Sequence, residues 1–114
     1  MEKCIFCEVV EKKVPVRIII EDNLAVAFED LNPQAPVHAL VIPKMHITTL
    51  NEVRAAEREL MGHLLLVAAK VAEIKSVHQA GYRLVLNTNA QAGQTVFHVH
   101  LHVLGGRQMA WPPG

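Results

Sequence analysis

The chain carries no net charge, and this absence narrows the range of partners. Its 114 residues include 11 Lys or Arg and 11 Asp or Glu, with no stretch in which basic residues cluster. Proteins that bind long nucleic acids present a basic surface, so we expect no such partner here. The neutral composition leaves a single nucleotide open as a ligand.

Long apolar runs are also missing. Pro, His or Lys interrupts every apolar stretch well before the roughly 20 residues that a membrane-spanning helix needs, and the N-terminus has no signal-peptide pattern. We therefore expect no membrane contact and a cytoplasmic protein. Apolar residues make up 51% of the chain and charged residues 19%, with no low-complexity segment, which predicts one folded domain over residues 1–114.

Cysteine occurs only twice, at Cys4 and Cys7. The residues from Cys4 to Lys13 predict a short helix that closes before Pro15, with both thiols on one side. Three interpretations stay open at this point. The pair could be two small core residues, a redox pair, or half of a tetrahedral zinc site that histidines complete.

The chain does contain three alternating histidines within the stretch Phe97–Gly106. Successive side chains of a strand point to opposite faces, so the stretch predicts one imidazole face and one core face. A row of imidazoles at strict alternation favours a catalytic or metal-binding face. The imidazole face comprises His98, His100 and His102, and the core face comprises Phe97, Val99, Leu101 and Val103.

The remaining strands are expected to surround this stretch. Residues 17–21 and 24–29 predict an antiparallel hairpin, and Val37–Pro43 predicts a third strand in which His38 shares a face with Leu40 and Ile42. A fourth strand is predicted over residues 82–87. A polar turn then leads into the histidine stretch, so Gly93 and Thr95 should lie beside the imidazoles.

One long amphipathic helix is predicted from about Val53 to Val77, with Asn51 or a neighbouring Thr as its cap. Two apolar stripes run along it. The first, expected to pack on the sheet, is Leu60, Leu64, Val67, Val71 and Ile74. The second, which favours contact with another copy of the chain over burial beneath the N-terminal segment, is Met61, Leu65, Ala68 and Ala72.

These motifs together resemble the Hint branch of the histidine triad superfamily. The resemblance is carried by residues 5–6, 28–47, 87, 93–106 and 111–114, and most specifically by the histidine stretch, the loop 33–36 and the tail 105–109. It implies an α+β fold with a five-stranded antiparallel sheet, one long and one short helix, and a ten-stranded sheet across a homodimer. It also implies binding of purine nucleoside monophosphates, and hydrolysis of purine nucleoside 5′-phosphoramidates and acyl-nucleotidates through a nucleotidyl-histidine intermediate.

The resemblance assigns roles residue by residue. His100 is the expected nucleophile, assisted by His98, His102, His38 and Thr95. Asp30 is the expected ribose ligand, and Trp111 is expected to reach the partner's site. The remaining substrate-binding positions are Ile5, Phe6, Val9, Phe28 and Leu31 around the base, with Asn87 and Gly93 around the phosphate and leaving group.

The chain departs from the family pattern in two respects. Ala110 stands where some relatives carry His, which removes any leaving-group contact made there. The Cys4 and Cys7 pair is absent from many Hint proteins, but some bacterial relatives use such a pair to hold zinc, together with the positions of His46 and His98. With zinc bound, His98 would be structural.

The expected chemistry needs no cofactor, and zinc would serve only the structure. A neutral imidazole is a good nucleophile at pH 7, and the sequence has no Walker lysine motif or acidic magnesium cluster. Two other hypotheses remain. One is a nucleotide-sensing protein-interaction module with incidental hydrolysis, which needs Asp30 but not His100. The other is a zinc protein whose three histidines are mainly ligands.

Overall fold

The computed structural model describes residues 4–114 as one antiparallel sheet flanked by two helices. The strands are β1 (Ile18–Glu21), β2 (Ala25–Glu29), β3 (Val37–Pro43), β4 (Tyr82–Val85) and β5 (Leu101–Gly105), and they lie side by side in the order β1-β2-β3-β5-β4. The helices are α1 (Ile5–Val10) and α2 (Arg58–Ile74), with short 3₁₀ turns at Leu50–Glu52, Ala55–Glu57 and Ala90–Ala92. The predicted five-stranded α+β fold is confirmed.

Each face of the sheet is covered by one helix. On one face, Ala27, Val41 and Val103 pack with Leu64 of α2 in a fully buried core. On the other face, a second buried cluster joins α1 to the sheet. Its members are Phe6, Val9, Val26, Phe28, Leu40 and Ile42. Because both faces are covered, the central strand β3 is apolar at nearly every position.

The long helix begins later than the sequence predicts. Val53 and Arg54 are extended (φ −71°, ψ 130° and φ −102°, ψ 164°), so the chain makes two separate 3₁₀ turns before α2 begins at Arg58. The Thr49 hydroxyl accepts the Asn51 N–H at 3.1 Å, which places the predicted Thr cap on the first of these turns.

The helix also ends three residues early. Ser76 has a positive φ of 60°, and its N–H donates to the carbonyl of Glu73 at 3.0 Å. The next N–H, from Val77, donates to the carbonyl of Ala72 at 2.9 Å. These two bonds form a Schellman motif, which satisfies the last helical carbonyls and turns the chain toward β4.

The prediction that the second stripe of α2 is available for contact with another copy of the chain is largely wrong. Ala68 and Ala72 are fully buried and Met61 packs against the same core, because β2, β3 and β5 together cover a wide arc of the helix. Leu65 is 53% exposed, and it is joined by Leu66, which is 72% exposed. The exposed apolar face is therefore narrower than predicted and centred on these two leucines.

The histidine stretch is strand only in its second half. The N–H of Val99 donates to the carbonyl of Ile47 at 2.7 Å, in the segment after β3, and β5 starts at Leu101. Val99, Leu101 and Val103 are buried as predicted, but Phe97 is 47% exposed and is not a core residue. The irregular backbone before Leu101 explains this difference, since strand alternation does not extend to residue 97.

The part of the chain that the structure describes contains no helix long and apolar enough to cross a membrane.

Candidate active site

A cavity of about 280 Å³ opens between α1 and the sheet. Its wall is mostly apolar and includes the imidazoles of His100 and His102. Nine predicted site residues line it: Ile5, Phe6, Val9, Phe28, Asp30, Leu31, Thr95, His100 and His102. The structure therefore brings together, in one cavity, residues from both ends of the chain.

Four lining residues were not singled out as site residues by the sequence. Leu40 comes from β3, and Val14, Val16 and Val96 come from loops. Val14 and Val16 flank Pro15 just after α1. Their position directly after the predicted helix is the sequence signal that could have identified them as cavity-lining residues.

Phe6 connects the apolar wall to the histidines. Its ring packs edge-on against Phe28, with centroids 5.8 Å apart, and against His100, with centroids 5.0 Å apart. The same ring lies 6.0 Å from the ring of His98. The position of α1 therefore determines both the shape of the cavity and the packing around His100.

The protonation of His100 is fixed by its neighbour's backbone. Nδ1 of His100 lies 2.7 Å from the carbonyl oxygen of His98, which can only accept, so Nδ1 carries the proton. Burial lowers the pKa of His100, against the opposing effects of this hydrogen bond and of Asp30. His100 is therefore a neutral imidazole at pH 7 whose Nε2 holds a free lone pair.

A second hydrogen-bond chain fixes His102. The Gln34 N–H donates to Nδ1 of His38 at 3.0 Å, so the proton of His38 is on Nε2. That N–H donates to Nδ1 of His102 at 2.9 Å, which leaves His102 with its proton on Nε2. His102 thus offers the cavity a donor, whereas His100 offers it a lone pair.

The imidazoles of His38 and His102 in this hydrogen-bond chain are both neutral. Burial lowers the pKa of His38, and Asp30 only partly opposes this effect. The pKa of His102 falls to about 4 because of burial and then because of the neighbouring His100 and His38. Each group would lose more hydration than it would gain in attraction by becoming charged.

Asp30 is held beside this chain. One oxygen accepts the Asn32 N–H at 2.8 Å, and the other lies 3.3 Å from Nε2 of His38. The atoms of Asp30, His38 and His102 that could ligate a metal ion lie within 4.8 Å of one another. The proton on Nε2 of His38 occupies the nitrogen that a metal would need, which favours a hydrogen-bond chain over a metal site.

Four further side chains, none of which lines this cavity, converge on one point. Nε2 of His98 donates to the carbonyl of Pro43 at 2.8 Å, which leaves Nδ1 with a lone pair. This Nδ1 lies 3.4 Å from Sγ of Cys4, 3.6 Å from Sγ of Cys7 and 3.1 Å from Nδ1 of His46. Sγ of Cys7 lies 3.3 Å from Nδ1 of His46.

These separations fit a tetrahedral zinc ion. Ligands at ordinary Zn–N and Zn–S distances stand roughly 3.3 to 3.8 Å apart in a tetrahedron, close to the separations observed. His98 is fully buried, and its second nitrogen is held by a carbonyl, as is usual for a zinc ligand. This convergence favours the metal-site interpretation of Cys4 and Cys7 over a core pair or a redox pair.

Three predicted substrate residues do not line the cavity. Asn87 is half-buried, Gly93 is exposed with a φ of 89°, and Trp111 is 82% exposed. Their contacts with substrate stay predictions.

The class of protein follows from this geometry: an α+β domain that presents neutral histidines of fixed tautomer to a small-molecule cavity beneath a short helix. The chain belongs to the HIT domain family, whose model matches residues 11–109. The predicted family is thereby confirmed.

Relatives of known sequence and structure agree. An uncharacterized HIT-like protein from Synechococcus elongatus is 49% identical over 99% of this chain and 98% of its own length. The purine nucleoside phosphoramidase of Escherichia coli is 44% identical over 95% of this chain and 91% of its own length. A HIT family hydrolase from Legionella pneumophila has a TM-score of 0.96 at 47% identity and covers 98% of this chain and 100% of that chain.

Proposed function

We propose that this protein hydrolyses purine nucleoside 5′-phosphoramidates, and related acyl-nucleotidates, to the nucleoside monophosphate through a nucleotidyl-histidine intermediate on His100. The observation that carries the proposal is the 2.7 Å hydrogen bond from Nδ1 of His100 to the carbonyl of His98, which leaves a lone pair on Nε2. A buried, neutral imidazole in a ligand-sized cavity is suited to nucleophilic attack. The similarity to a phosphoramidase supports the choice of bond.

In the first step, Nε2 of His100 would attack the α-phosphorus and form a P–N bond to the enzyme. The P–N bond to the leaving amine breaks, and its electron pair goes to the leaving nitrogen. The leaving nitrogen takes up a proton from solvent and departs as the amine, while the N–H on Nε2 of His102 donates a hydrogen bond to a phosphate oxygen as negative charge develops.

In the second step, a water molecule would attack the phosphorus of the nucleotidyl-histidine. The bond to Nε2 of His100 breaks, and its electron pair returns to the imidazole. The proton released by the water passes to solvent, in return for the proton taken up in the first step, which restores the starting state and releases the monophosphate. No step of this sequence requires a cofactor.

Binding would come mainly from the apolar wall. A purine base would lie against Phe6, Val9 and Phe28, which line the cavity, while the carboxylate of Asp30 would accept hydrogen bonds from the ribose hydroxyls. Asp30 lines the same cavity and its carboxylate lies 3.3 Å from Nε2 of His38, so a ribose bound to it would stand beside the histidines.

Hydrolysis of adenosine 5′-phosphoramidate, followed as AMP release, tests the proposal. We expect turnover without added metal and none from the His100→Asn variant. Tight AMP binding by a wild-type protein that does not turn over the phosphoramidate would instead support the nucleotide-sensing hypothesis.

We also propose a structural zinc ion held by Cys4, Cys7, His46 and His98. The four converging donor atoms support it. When bound, zinc would fasten α1 to the segment after β3 and to the histidine stretch, and so hold His98 with its carbonyl toward His100. A cytoplasmic location would keep both cysteines reduced.

A homodimer completes the proposal. Leu65 and Leu66 are exposed on α2, and Trp111 is exposed near the C-terminus. Strand β4 forms one edge of the sheet, so a second copy paired there would extend it to ten strands.

A further inference from the structure

We propose that Arg107 is a positioning residue that sets the proton positions of His38 and His102 through the loop of residues 32–36. Arg107 follows β5, is exposed to solvent and does not line the cavity. Its guanidinium reaches the loop with two donors, since Nε and Nη2 each lie 3.2 Å from the carbonyl oxygen of Gln34. A planar fork of this kind fixes both the distance and the direction of the carbonyl it binds.

Gln34, whose carbonyl Arg107 binds, is also the residue whose N–H donates to His38. The Gln34 N–H donates to Nδ1 of His38 at 3.0 Å, and the Gln34 side chain donates to the carbonyl of Asn32 at 3.0 Å. The loop is therefore stabilised by one hydrogen bond within it, to Asn32, and by hydrogen bonds from outside it, from Arg107.

A close backbone approach fastens the same loop at the neighbouring position. Gly106 has a φ of 87°, and a Cβ placed there would lie 2.9 Å from Cβ of Pro36. The chain after β5 thus contacts the loop at two successive residues, and Arg107 extends from that contact to Gln34. A displacement of Gly106 and Arg107 would therefore also displace the Gln34 N–H.

The consequence for His102 follows from the tautomers. With the Gln34 N–H in place, Nδ1 of His38 accepts, Nε2 donates to His102, and Nε2 of His102 keeps its proton. If the N–H moves away, His38 gains access to the tautomer with its proton on Nδ1. His102 would then donate from its own Nδ1, and its Nε2 would face the cavity as an acceptor.

Asp30 limits the size of this effect. Its carboxylate oxygen lies 3.3 Å from Nε2 of His38 and favours a proton on that nitrogen. We therefore expect loss of Arg107 to mix the two tautomers rather than to replace one with the other. In the proposed reaction, a mixed population lowers the rate, because only one tautomer of His102 donates a hydrogen bond from Nε2 to the phosphate oxygen as charge develops.

The test is imidazole ¹⁵N NMR on full-length Arg107→Ala, with Arg83→Ala as the matched control. Arg83 also donates to a backbone carbonyl, that of Ala110 at 3.0 Å, but no hydrogen bond of the described residues joins it to the loop of residues 32–36. We expect wild type and Arg83→Ala to show His38 and His102 protonated on Nε2. Arg107→Ala should shift the ¹⁵N resonances of both histidines toward the average of the two tautomers. Arg107→Lys, with a single donor group, should shift them by a smaller amount.

The kinetic readout rests on the proposed hydrolysis. We expect kcat for adenosine 5′-phosphoramidate to fall about tenfold or more in Arg107→Ala, with KM within about twofold of wild type, since misplacement of a reacting group acts on the transition state. Unchanged His38 and His102 tautomers in a folded Arg107→Ala protein would overturn the inference, whatever the kinetics.

The two ideas can fail separately. If wild type does not hydrolyse the phosphoramidate but the tautomers still shift, the function proposed is wrong and the role of Arg107 stands. If Arg107→Ala does not fold, Arg107→Gln, which keeps one donor, replaces it, and the same unchanged tautomers would count against the role.

Discussion

The backbone carbonyl of His98 accepts the Nδ1 proton of His100 at 2.7 Å, while the His98 side chain points its own Nδ1 toward Cys4 and Cys7. One residue therefore belongs to both the candidate nucleophile and the candidate zinc site. Any change that moves His98 should affect the protonation of His100. This relationship makes the two sites separable only by experiments that read metal content and chemistry independently.

Replacement of the nucleophile should abolish turnover and spare binding. We predict that His100→Asn lowers kcat for adenosine 5′-phosphoramidate by at least about a thousandfold, because without covalent attack only positioning and electrostatic stabilisation remain. AMP affinity, measured by calorimetry, should stay within about threefold, since binding comes from the apolar wall and Asp30. His63→Asn is the control, because His63 pairs with Asp22 outside the cavity. Turnover of His100→Asn within tenfold of wild type would rule out His100 as the nucleophile.

Asp30→Ala should show the opposite pattern. We predict AMP binding weaker by about tenfold, as expected for the loss of hydrogen bonds to a charged group, with a smaller change in kcat. The ribose contacts should be similar in the ground state and the transition state. Steady-state kinetics and calorimetry on the same preparation measure both quantities. A large drop in kcat with unchanged AMP affinity would mean that Asp30 acts on the histidines instead, through its contact with His38.

Zinc should co-purify with the protein and stabilise it. We predict close to one zinc per chain in protein purified without chelator, and loss of zinc with a lower Tm in Cys4→Ser and His46→Ala, because structural zinc contributes free energy of folding. His78→Ala, at an exposed histidine outside the four-residue group, is the control. Less than roughly 0.2 zinc per chain, together with a Cys4→Ser protein as stable as wild type, would contradict the site.

Sedimentation should report a dimer. We predict that Leu66→Glu shifts the protein toward monomer at micromolar concentration, because a charge placed in an apolar interface is costly to bury. Glu52→Lys, at an exposed residue outside α2, is the control. Truncation after Met109 should leave a folded dimer with altered substrate preference, since Trp111 is lost and the helix contact is kept. A wild-type monomer at micromolar concentration would contradict the whole arrangement.

Acid should destabilise the fold through His102. Its pKa is lowered to about 4 in the folded protein from an ordinary value of 6.5, so the unfolded chain binds more protons between these values. The contribution to stability is complete above about pH 6.5 and is lost as pH falls toward 4. The slope has an upper limit of about 1.4 kcal/mol per pH unit for one group, reduced here by partial solvent exposure.

Urea unfolding at a series of pH values measures this slope. We expect the free energy of unfolding of His102→Gln to depend less on pH than that of wild type between pH 4 and 6.5. The His78→Ala protein, changed at an exposed histidine, should keep the wild-type slope. Identical slopes for wild type and His102→Gln would show that His102 does not titrate as proposed.

The sequence by itself determined the strands, the short helix, the face shared by His38, Leu40 and Ile42, and the family. Alternation and helical periodicity are local properties that burial of one face imposes directly on residue order. The same local rules gave the wrong environment for Phe97 and a helix that was too long at both ends. At those places a hydrogen bond from Val99 to Ile47 and the turn at Ser76 override the pattern.

Only the tertiary structure decided which atoms carry protons and which stripe of α2 is exposed. The tautomers of His98, His100 and His38 are set by the carbonyl of Pro43, the carbonyl of His98 and the N–H of Gln34. Every residue type has a backbone carbonyl, and every type except proline has a backbone N–H, so residue identity carries almost no signal for them. Ala68 and Ala72 are buried because the twisted sheet covers a wide arc of the helix, a width that depends on packing between distant segments and not on the helix sequence alone.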